Sequence, residues 1–329
     1  MTTRRSLLIA LGAGALAAPL RSFAQPRSRR IGYLDLGSRQ SLADTGRYAT
    51  FLQGMRELGR IKGKDFFFEA RFADGSSDRL DGLAADLVRL KVDVIVTFGT
   101  PASHAAQRAT STIPIVVVAT SDPVLDGLAE SLARPGGNIT GLSTGATDIV
   151  QKHVELLISM AAKLSRVAVL LNPANGAHPP LLLRTQTALQ HSGRQVVPIS
   201  ARPTAGDIDG AFAALARAHA DALILLPDSS FFQAARQIAG LAVKHRLPSI
   251  ASNSTYAEAG LLMSYGGDII ENFRRAVIFV DKILKGANPG ELPFEQPTRY
   301  FLVINGKTAK AIGVTVPPEF LRRADRVIE

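Results

Sequence analysis

The stretch "VDVIVTFGTPASHAAQRAT", residues 92–110, decides the fold class of this chain. Five apolar side chains follow one another almost without a break, and Gly99, Thr100 and Pro101 then turn the chain into a segment of small residues. A short apolar run that leads through a glycine into a helix is typical of a buried parallel strand and its crossover helix. The stretch therefore predicts an α/β protein.

The same pattern occurs twice along the chain. The segment "LVRLKVDVIV" (87–96) matches "LARAHADALI" (215–224), with leucine, arginine and aspartate in register, and "RIGYL" (30–34) likewise resembles "RVAVL" (166–170). Each of the latter two is followed by a polar turn, a helix-length stretch and a further strand pattern. We therefore predict two doubly wound parallel-sheet lobes of one plan, joined by hinge strands, with a cleft between them.

The part of the chain after the second lobe contains additional apolar segments. An apolar run at 260–266, an amphipathic stretch at 269–286 and a last apolar run at 298–305 are typical of chain crossings between two lobes. The resulting domain prediction has a signal peptide at 1–24, an N-terminal lobe at 25–142 plus 256–292, and a C-terminal lobe at 143–255 plus 293–329.

The first 24 residues have the composition of a secretory signal peptide. Arg4 and Arg5 precede an uncharged run, and Ser22-Phe23-Ala24 has the small residues of a cleavage site. The order of these residues fits either the general or the twin-arginine export route. The chain has no cysteine, which excludes disulfides, thiolate metal sites and a lipid-modified N-terminal cysteine. We therefore expect a periplasmic protein without a lipid anchor.

The basic composition invites a nucleic-acid function, which the distribution of charge does not support. Removal of the three arginines in the signal segment lowers the formal net charge from +10 to +7, and the remaining chain has no basic stripe interleaved with aromatic residues. The six histidines stand too far apart for metal-ligand spacing. We expect neither a nucleic-acid partner nor a metal, and the residues point to no cofactor.

The strand ends of both lobes carry polar residues that would face the cleft. Gly99 permits close backbone approach, and the amides of Thr100 and Ala102 at the start of a helix would bind a carboxylate. Asp228 in the facing lobe offers the opposite charge to an ammonium group, so the pair predicts an amino acid or related carboxylate as ligand. Further candidates are hydrogen-bonding, turn or wall residues at the same edge: Tyr33, Pro101, Ser121, Asp122, Asn172, Asn253 and Tyr265. Several of these residues are equally good helix caps or turn formers.

A second hypothesis of a different class is a secreted serine hydrolase. "GLSTG", residues 141–145, matches the G-x-S-x-G motif of the nucleophile elbow around Ser143, and Asp228 and His245 follow in the required order. The preceding "ARPGGNIT" lacks the apolar strand that an elbow needs. We therefore interpret Ser143 as part of a hinge where the chain leaves the first lobe.

Several longer stretches resemble a known family. "DVIVTFGTPA" (93–102), "SLARPGGNITGLS" (131–143) and "VDKILKGANPGELPFEQPT" (280–298) are similar to the extracytoplasmic substrate-binding proteins of ABC transporters, in the subfamily related to tryptophan-binding lipoproteins. The resemblance spans residues 30 to 329. It implies a type I periplasmic-binding fold, a ligand in the hinge cleft, delivery to a membrane permease with a cytoplasmic ATPase, and no catalysis.

The resemblance also bears on the site and on the ligand. It implies amino-acid ligands, often aromatic ones, and ligand contact at Gly99-Thr100-Pro101, Ser121-Asp122, Asn172, Asp228 and Tyr265. Asn253 and Ser254 stand where bulkier residues are expected, which implies a larger or more polar side-chain pocket. A ligand-sensing domain that serves a receptor would share the same fold and site.

Overall fold

The computed structural model describes residues 28–161 and 163–329, and the predicted signal peptide at residues 1–24 lies outside this part of the chain. The first lobe is built on a five-stranded, fully parallel sheet of strand order β2-β1-β3-β4-β5. Its elements in chain order are β1 (Arg29–Asp35), α1 (Arg39–Asp44), α2 (Arg47–Glu57), β2 (Phe66–Phe72), α3 (Leu80–Arg89), β3 (Val94–Phe98), α4 (Thr100–Ala109), β4 (Ile115–Thr120) and β5 (Ile139–Ser143).

The second lobe contains a seven-stranded sheet of order β12-β11-β10-β9-β8-β6-β7, in which only the pairing of β10 with β11 is antiparallel. Its elements are α5 (Ala146–Met160), β6 (Arg166–Leu171), α6 (His178–His191), β7 (Gln195–Ser200), α7 (Ala205–Arg217), β8 (Ala222–Leu225), α8 (Ala235–Lys244), β9 (Ser249–Ala251), α9 (Ser254–Ala259), β10 (Met263–Gly266), β11 (Phe301–Asn305), α11 (Gly306–Ile312), α12 (Pro318–Arg323) and β12 (Arg326–Ile328). The remaining helix, α10 (Ile269–Leu284), packs on the first lobe.

The two sheets confirm the predicted doubly wound α/β fold. The order β2-β1-β3-β4-β5 in the first lobe has the same plan as β7-β6-β8-β9-β10 in the second. Each sheet is covered by apolar residues on both faces, because the strand segments are nearly continuous apolar runs and bury both of their sides. Among the described residues, no helix is both long and apolar enough to cross a membrane.

The chain passes between the lobes at three places: after Ser143, after Gly266, and between Glu295 and Phe301. The predicted N-terminal segment 256–292 therefore begins too early. β10 pairs with β9 and β11, so residues up to Gly266 belong to the second sheet. The first lobe also extends beyond residue 292, because Phe294 packs in its core and Glu295 pairs with β5.

Helix α10 closes one face of the first sheet, although it follows most of the second lobe in sequence. Its Val277 packs against α2, within 3.2 Å of the position that a Cβ on Gly54 would occupy. Arg60 Nε donates to Asp281 Oδ1 at 2.6 Å. Burial raises the pKa of the Asp281 carboxyl, but hydrogen bonds from Lys285 and Arg60 outweigh burial and lower this pKa below its ordinary value. The first lobe thus depends on residues more than 200 positions apart.

Candidate functional site

A cavity lies between the lobes, at the carboxyl ends of the parallel strands of both sheets. Its atom-free space is about 610 Å³, including the part open to solvent. Five of the eleven predicted site residues line it: Gly99, Thr100, Ser121, Asp228 and Asn253. The topology of the two sheets brings these residues together, because each one follows the last residue of a parallel strand or closely succeeds it.

The first-lobe side of the cavity is the start of α4. Gly99 precedes the helix with φ 85° and ψ 157°, a conformation that is essentially restricted to glycine. The amide of Thr100 has no acceptor one turn earlier in the helix, which makes it available to a ligand. Ala102, in contrast, is completely buried in the core of the first lobe and does not line the cavity. The predicted role of its amide as a second carboxylate donor therefore does not fit the structure.

An internal carboxylate already lies beside the start of α4. Asp126 Oδ2 accepts hydrogen bonds from Thr120 Oγ1 at 2.5 Å, from Thr100 Oγ1 at 3.2 Å and from the amide of Asp122 at 3.2 Å. Burial raises the pKa of the Asp126 carboxyl, and these hydrogen bonds lower it. Sequence analysis missed this residue, which follows Thr120 by six positions in a loop without a recognisable pattern. The start of α4 therefore has a carboxylate of the protein itself as a neighbour.

The second-lobe side of the cavity contains the carboxylate of Asp228, whose side chain is fully buried. Its Oδ1 accepts from the amide of Ser230 at 2.7 Å and from Ser230 Oγ at 2.5 Å, and its Oδ2 accepts from Asn175 Nδ2 at 3.1 Å. Asp228 also caps a short 3₁₀ helix, Ser229–Phe232. All three donors are neutral.

His178 lies 3.6 Å from Asp228, and the backbone contacts both of its ring nitrogens. Its Nδ1 accepts from the amide of Asn172 at 2.8 Å, so the ring proton sits on Nε2, which donates to the carbonyl of Pro227 at 3.1 Å. No lysine or arginine of the described residues forms an ion pair with Asp228. The carboxylate is therefore a buried negative charge without a cationic partner in the described protein.

The predicted donor Asn172 is replaced at the cavity by a neighbour in the same turn. Asn172 is buried, donates to Ser230 Oγ at 3.1 Å and accepts from the amide of Ala174, and it does not line the cavity. Asn175, three residues later, lines the cavity and donates to Asp228. Both asparagines were visible in the sequence, but only the folded turn decides which side chain points to the cleft.

Several polar groups at the cavity have no hydrogen-bond partner in the described parts of the chain. They include Ser121 Oγ from the first lobe and Ser229 Oγ and Asn253 Nδ2 from the second. The hydroxyl of Ser229 is completely buried. A buried hydroxyl without a partner costs free energy, on the order of 1–3 kcal/mol, so these groups are ready donors for a polar ligand.

Two aromatic rings meet across the cleft. Phe98 of the first lobe and Phe232 of the second have ring centroids 6.1 Å apart, and Phe232 stacks on Tyr256 at 5.2 Å. Sequence analysis missed Phe232, which lies outside any periodic segment. Asn272 on α10 was also missed. It lines the cavity and donates to the carbonyl of Val118, and its polar side chain on the buried face of an amphipathic helix was the available signal.

Four other predicted site residues lie outside the cavity lining. Tyr33 is buried in the first core, where its hydroxyl donates to Asp35. Pro101 occupies the first turn of α4. Asp122 accepts from the amides of Val124 and Leu125 and from Thr147 Oγ1. Tyr265 packs against Tyr300 in the second lobe.

The geometry around Ser143 does not form a hydrolase triad. Ser143 Oγ donates to the carbonyl of Ser121 at 3.2 Å and accepts from the amide of Gly145 at 3.0 Å. His245 packs instead against Phe212 in the second lobe, and Asp228 holds Ser230 and Asn175. The three residues do not meet, which corrects the hydrolase hypothesis and fits the hinge interpretation.

Comparisons with known proteins agree with this architecture. The family model described as "ABC transporter substrate binding protein" matches residues 41–328. A "Tyrosine-binding protein" of Clostridioides difficile (strain R20291) is 25% identical over 262 residues, which cover 80% of this chain and 75% of that protein.

Two solved structures have closely similar folds. A conserved domain protein of Vibrio cholerae O1 biovar El Tor is 27% identical with a TM-score of 0.84, covering 92% of this chain and 100% of that chain. The ABC domain of Streptococcus pneumoniae in complex with L-Trp is 24% identical with a TM-score of 0.83 and the same coverage.

Proposed function

The chain belongs to the family of ABC transporter substrate-binding proteins, and we propose that it binds an aromatic amino acid between its lobes. Two similar proteins, a tyrosine-binding protein and a domain in complex with L-Trp, support an aromatic side chain. The cleft supports the same choice, because polar groups of both lobes surround a contact between two phenylalanine rings.

The observation that carries the proposal is the environment of Asp228. This carboxylate is buried, receives hydrogen bonds from neutral groups alone and has no arginine or lysine partner within the described chain. A buried charge is costly unless an opposite charge pairs with it. The α-ammonium group of an amino acid would supply that charge when the lobes close around it.

The other groups of the ligand have matching positions. Ser121 Oγ, Ser229 Oγ and Asn253 Nδ2, together with the amide of Thr100, would donate to the α-carboxylate. This assignment moves the carboxylate away from Ala102, because Ala102 is buried in the core and Asp126 already lies near the helix start. Phe98 and Phe232 would hold the aromatic ring.

Closure of the lobes would then present a composite surface to a membrane permease, which works with a cytoplasmic ATPase. Two-lobed proteins commonly close by a hinge motion around the ligand, and the three chain crossings provide such a hinge. We propose that the protein acts in the extracytoplasmic space as the binding component of an importer.

The test is a ligand screen of the purified protein after denaturation, dialysis and refolding, which remove any ligand that copurifies. A ligand at about 100 times its dissociation constant adds roughly 2.7 kcal/mol to the free energy of unfolding. We expect tyrosine, phenylalanine or tryptophan to raise the melting temperature, with calorimetry giving the affinity. Stabilisation by sugars or simple carboxylates alone would contradict the proposal, as would no response to any amino acid.

A further inference from the structure

A second cavity of the cleft contains a buried arginine with one unused donor. Arg47, at the start of α2, has a side chain that is only 4% exposed. Its Nε donates to Thr45 Oγ1 at 2.6 Å and its Nη2 to Ser41 Oγ at 3.0 Å. Its Nη1 is buried and has no hydrogen-bond acceptor among the described residues. An unused guanidinium donor of this kind favours a ligand oxygen at the same place.

The second cavity shares part of its lining with the site of the proposed function. Arg47 and Thr45 line it, and Phe98, Phe232, Asn253 and Ile269 line both cavities. The guanidinium lies over the ring of Phe98, with its central carbon 4.5 Å from the ring centroid. A ligand with its polar head in the first cavity and its ring beside Phe98 and Phe232 would therefore direct the far end of that ring toward Arg47.

The charge of Arg47 is already balanced inside the protein. Its Nη1 lies 3.5 Å from Asp35 Oδ2 without a hydrogen bond between them. Asp35 also accepts from the hydroxyl of Tyr33 at 2.8 Å and from the amide of Gly37 at 2.7 Å. A second carboxylate would leave one buried negative charge in excess, and a cationic group would be repelled. A neutral oxygen uses the free donor at no cost in charge.

On the basis of the proposed function, we infer that Arg47 selects a phenol at the end of the ligand's ring, as in tyrosine. The Nη1 group donates a hydrogen bond to the phenol oxygen. Phenylalanine offers no acceptor at that position, and the indole nitrogen of tryptophan is a donor only. A site that hydrogen-bonds a ligand hydroxyl discriminates strongly against the analogue that lacks it, because the buried donor is then left unpaired.

The experiment compares the affinities of tyrosine, phenylalanine and tryptophan for the ligand-free protein by calorimetry. We expect tyrosine to bind at least about tenfold more tightly than phenylalanine, the effect of one lost hydrogen bond to a charged group. Arg47→Lys keeps the charge opposite Asp35 but lacks Nη1, and it should reduce this preference to about threefold or less. Arg56→Lys, at an exposed position of α2 outside the lining of both cavities, is the matched control and should keep the wild-type preference.

The outcomes separate the two proposals. Aromatic amino acids that bind to the wild type without a preference for tyrosine overturn the role of Arg47 and leave the proposed function standing. A preference for tyrosine that persists in Arg47→Lys likewise overturns the role of Arg47 and leaves the proposed function standing. If the variant does not fold, the wild-type series still tests the role of Arg47, because a lack of preference for tyrosine overturns it. Failure of all three amino acids to bind the wild type overturns the proposed function, and this inference with it.

Discussion

Ser229 of the second lobe lies directly against the α-carbon of Gly99 in the first, so that a Cβ on Gly99 would come within 2.9 Å of Ser229 Cβ. No real side chain tolerates this distance without movement of the backbone or of Ser229. The lobes therefore approach each other to a separation at which residue 99 must be a glycine, beside the cavity that both residues line.

We expect Gly99→Ala to weaken ligand binding by about tenfold or more, because the added methyl group obstructs closure at Ser229. The positive φ of 85° at this position strains any other residue in the open and the closed state alike, so the melting temperature should also fall. Calorimetry and thermal unfolding measure the two effects separately.

The double variant Gly99→Ala/Ser229→Gly separates these effects further. It removes the clash but not the backbone strain, and it also lacks the proposed carboxylate donor Ser229 Oγ. Its affinity should therefore equal that of Ser229→Gly alone, while its melting temperature stays low. Gly82→Ala, on the exposed side of α3 with open space around it, is the matched control and should bind normally. Normal ligand affinity in Gly99→Ala would show that closure does not bring these residues together.

Asp228→Asn should reduce the affinity for an amino acid by roughly ten- to a hundredfold, the effect of a lost hydrogen bond between charged groups. The variant should bind 3-(4-hydroxyphenyl)propionate, which lacks the ammonium group, about as well as the wild type does. Asp78→Asn changes an exposed aspartate of the first lobe and controls for the loss of net charge. Equal losses for both ligands would assign Asp228 to the architecture of the turn alone.

Phe232→Ala should lower the affinity for an aromatic amino acid by about tenfold, because ring contacts of this kind contribute about 0.5–1.5 kcal/mol beyond the area that they bury. Phe232→Leu keeps most of the apolar volume and should give an intermediate loss. Phe67→Ala, on the exposed side of an edge strand, should leave affinity unchanged. Wild-type affinity in Phe232→Ala would place the ligand ring elsewhere.

His153 should make stability fall with acidity between about pH 6.5 and pH 4. Burial lowers the pKa of its imidazole to about 4 in the folded protein, against 6.5 in the unfolded chain. As pH falls, the imidazole therefore becomes protonated in the unfolded chain before it does in the folded protein. The free energy of unfolding is unaffected by this group above pH 6.5 and falls between pH 6.5 and pH 4. The difference corresponds to roughly 3 kcal/mol.

Chemical denaturation at several pH values measures this dependence. His153→Gln keeps a donor for the carbonyl of Tyr265, which His153 Nε2 contacts at 2.7 Å, and it should show a smaller loss of unfolding free energy over this range. His191→Gln, on an exposed helix surface, should retain the wild-type dependence. Identical pH profiles of wild type and His153→Gln would refute the assignment.

The fold could be predicted from the sequence because each lobe is built from buried parallel strands that read as apolar runs followed by polar turns. The duplicated plan was visible for the same reason. The predicted lobe boundary at residue 256 was wrong because the local sequence "MSYG", residues 263–266, predicts a strand without indicating to which lobe it belongs. Its partners β9 and β11 come from distant segments, and local sequence does not determine that pairing.

The site was predicted at the level of strand ends rather than of side chains. Thr100 and Asp228 follow strands whose ends the topology brings together, so their position at the cavity could be foreseen. The choice of Asn175 over Asn172 depends on the shape of one turn. Arg47 was missed because its neighbours along the chain are ordinary helix residues, and its partners Asp35 and Phe98 come together only in the folded lobe.

The packing of α10 against α2 has a consequence for synthesis of the chain. The ion pair between Arg60 and Asp281 joins residues 221 positions apart, so one face of the first sheet stays uncovered until residue 284 has left the ribosome. The second sheet receives its edge strand only from residues 326–328. Contacts of such long range form late. We therefore expect the nascent chain to expose apolar strands until residues 326–328 are made, and to need protection from aggregation by chaperones during that time.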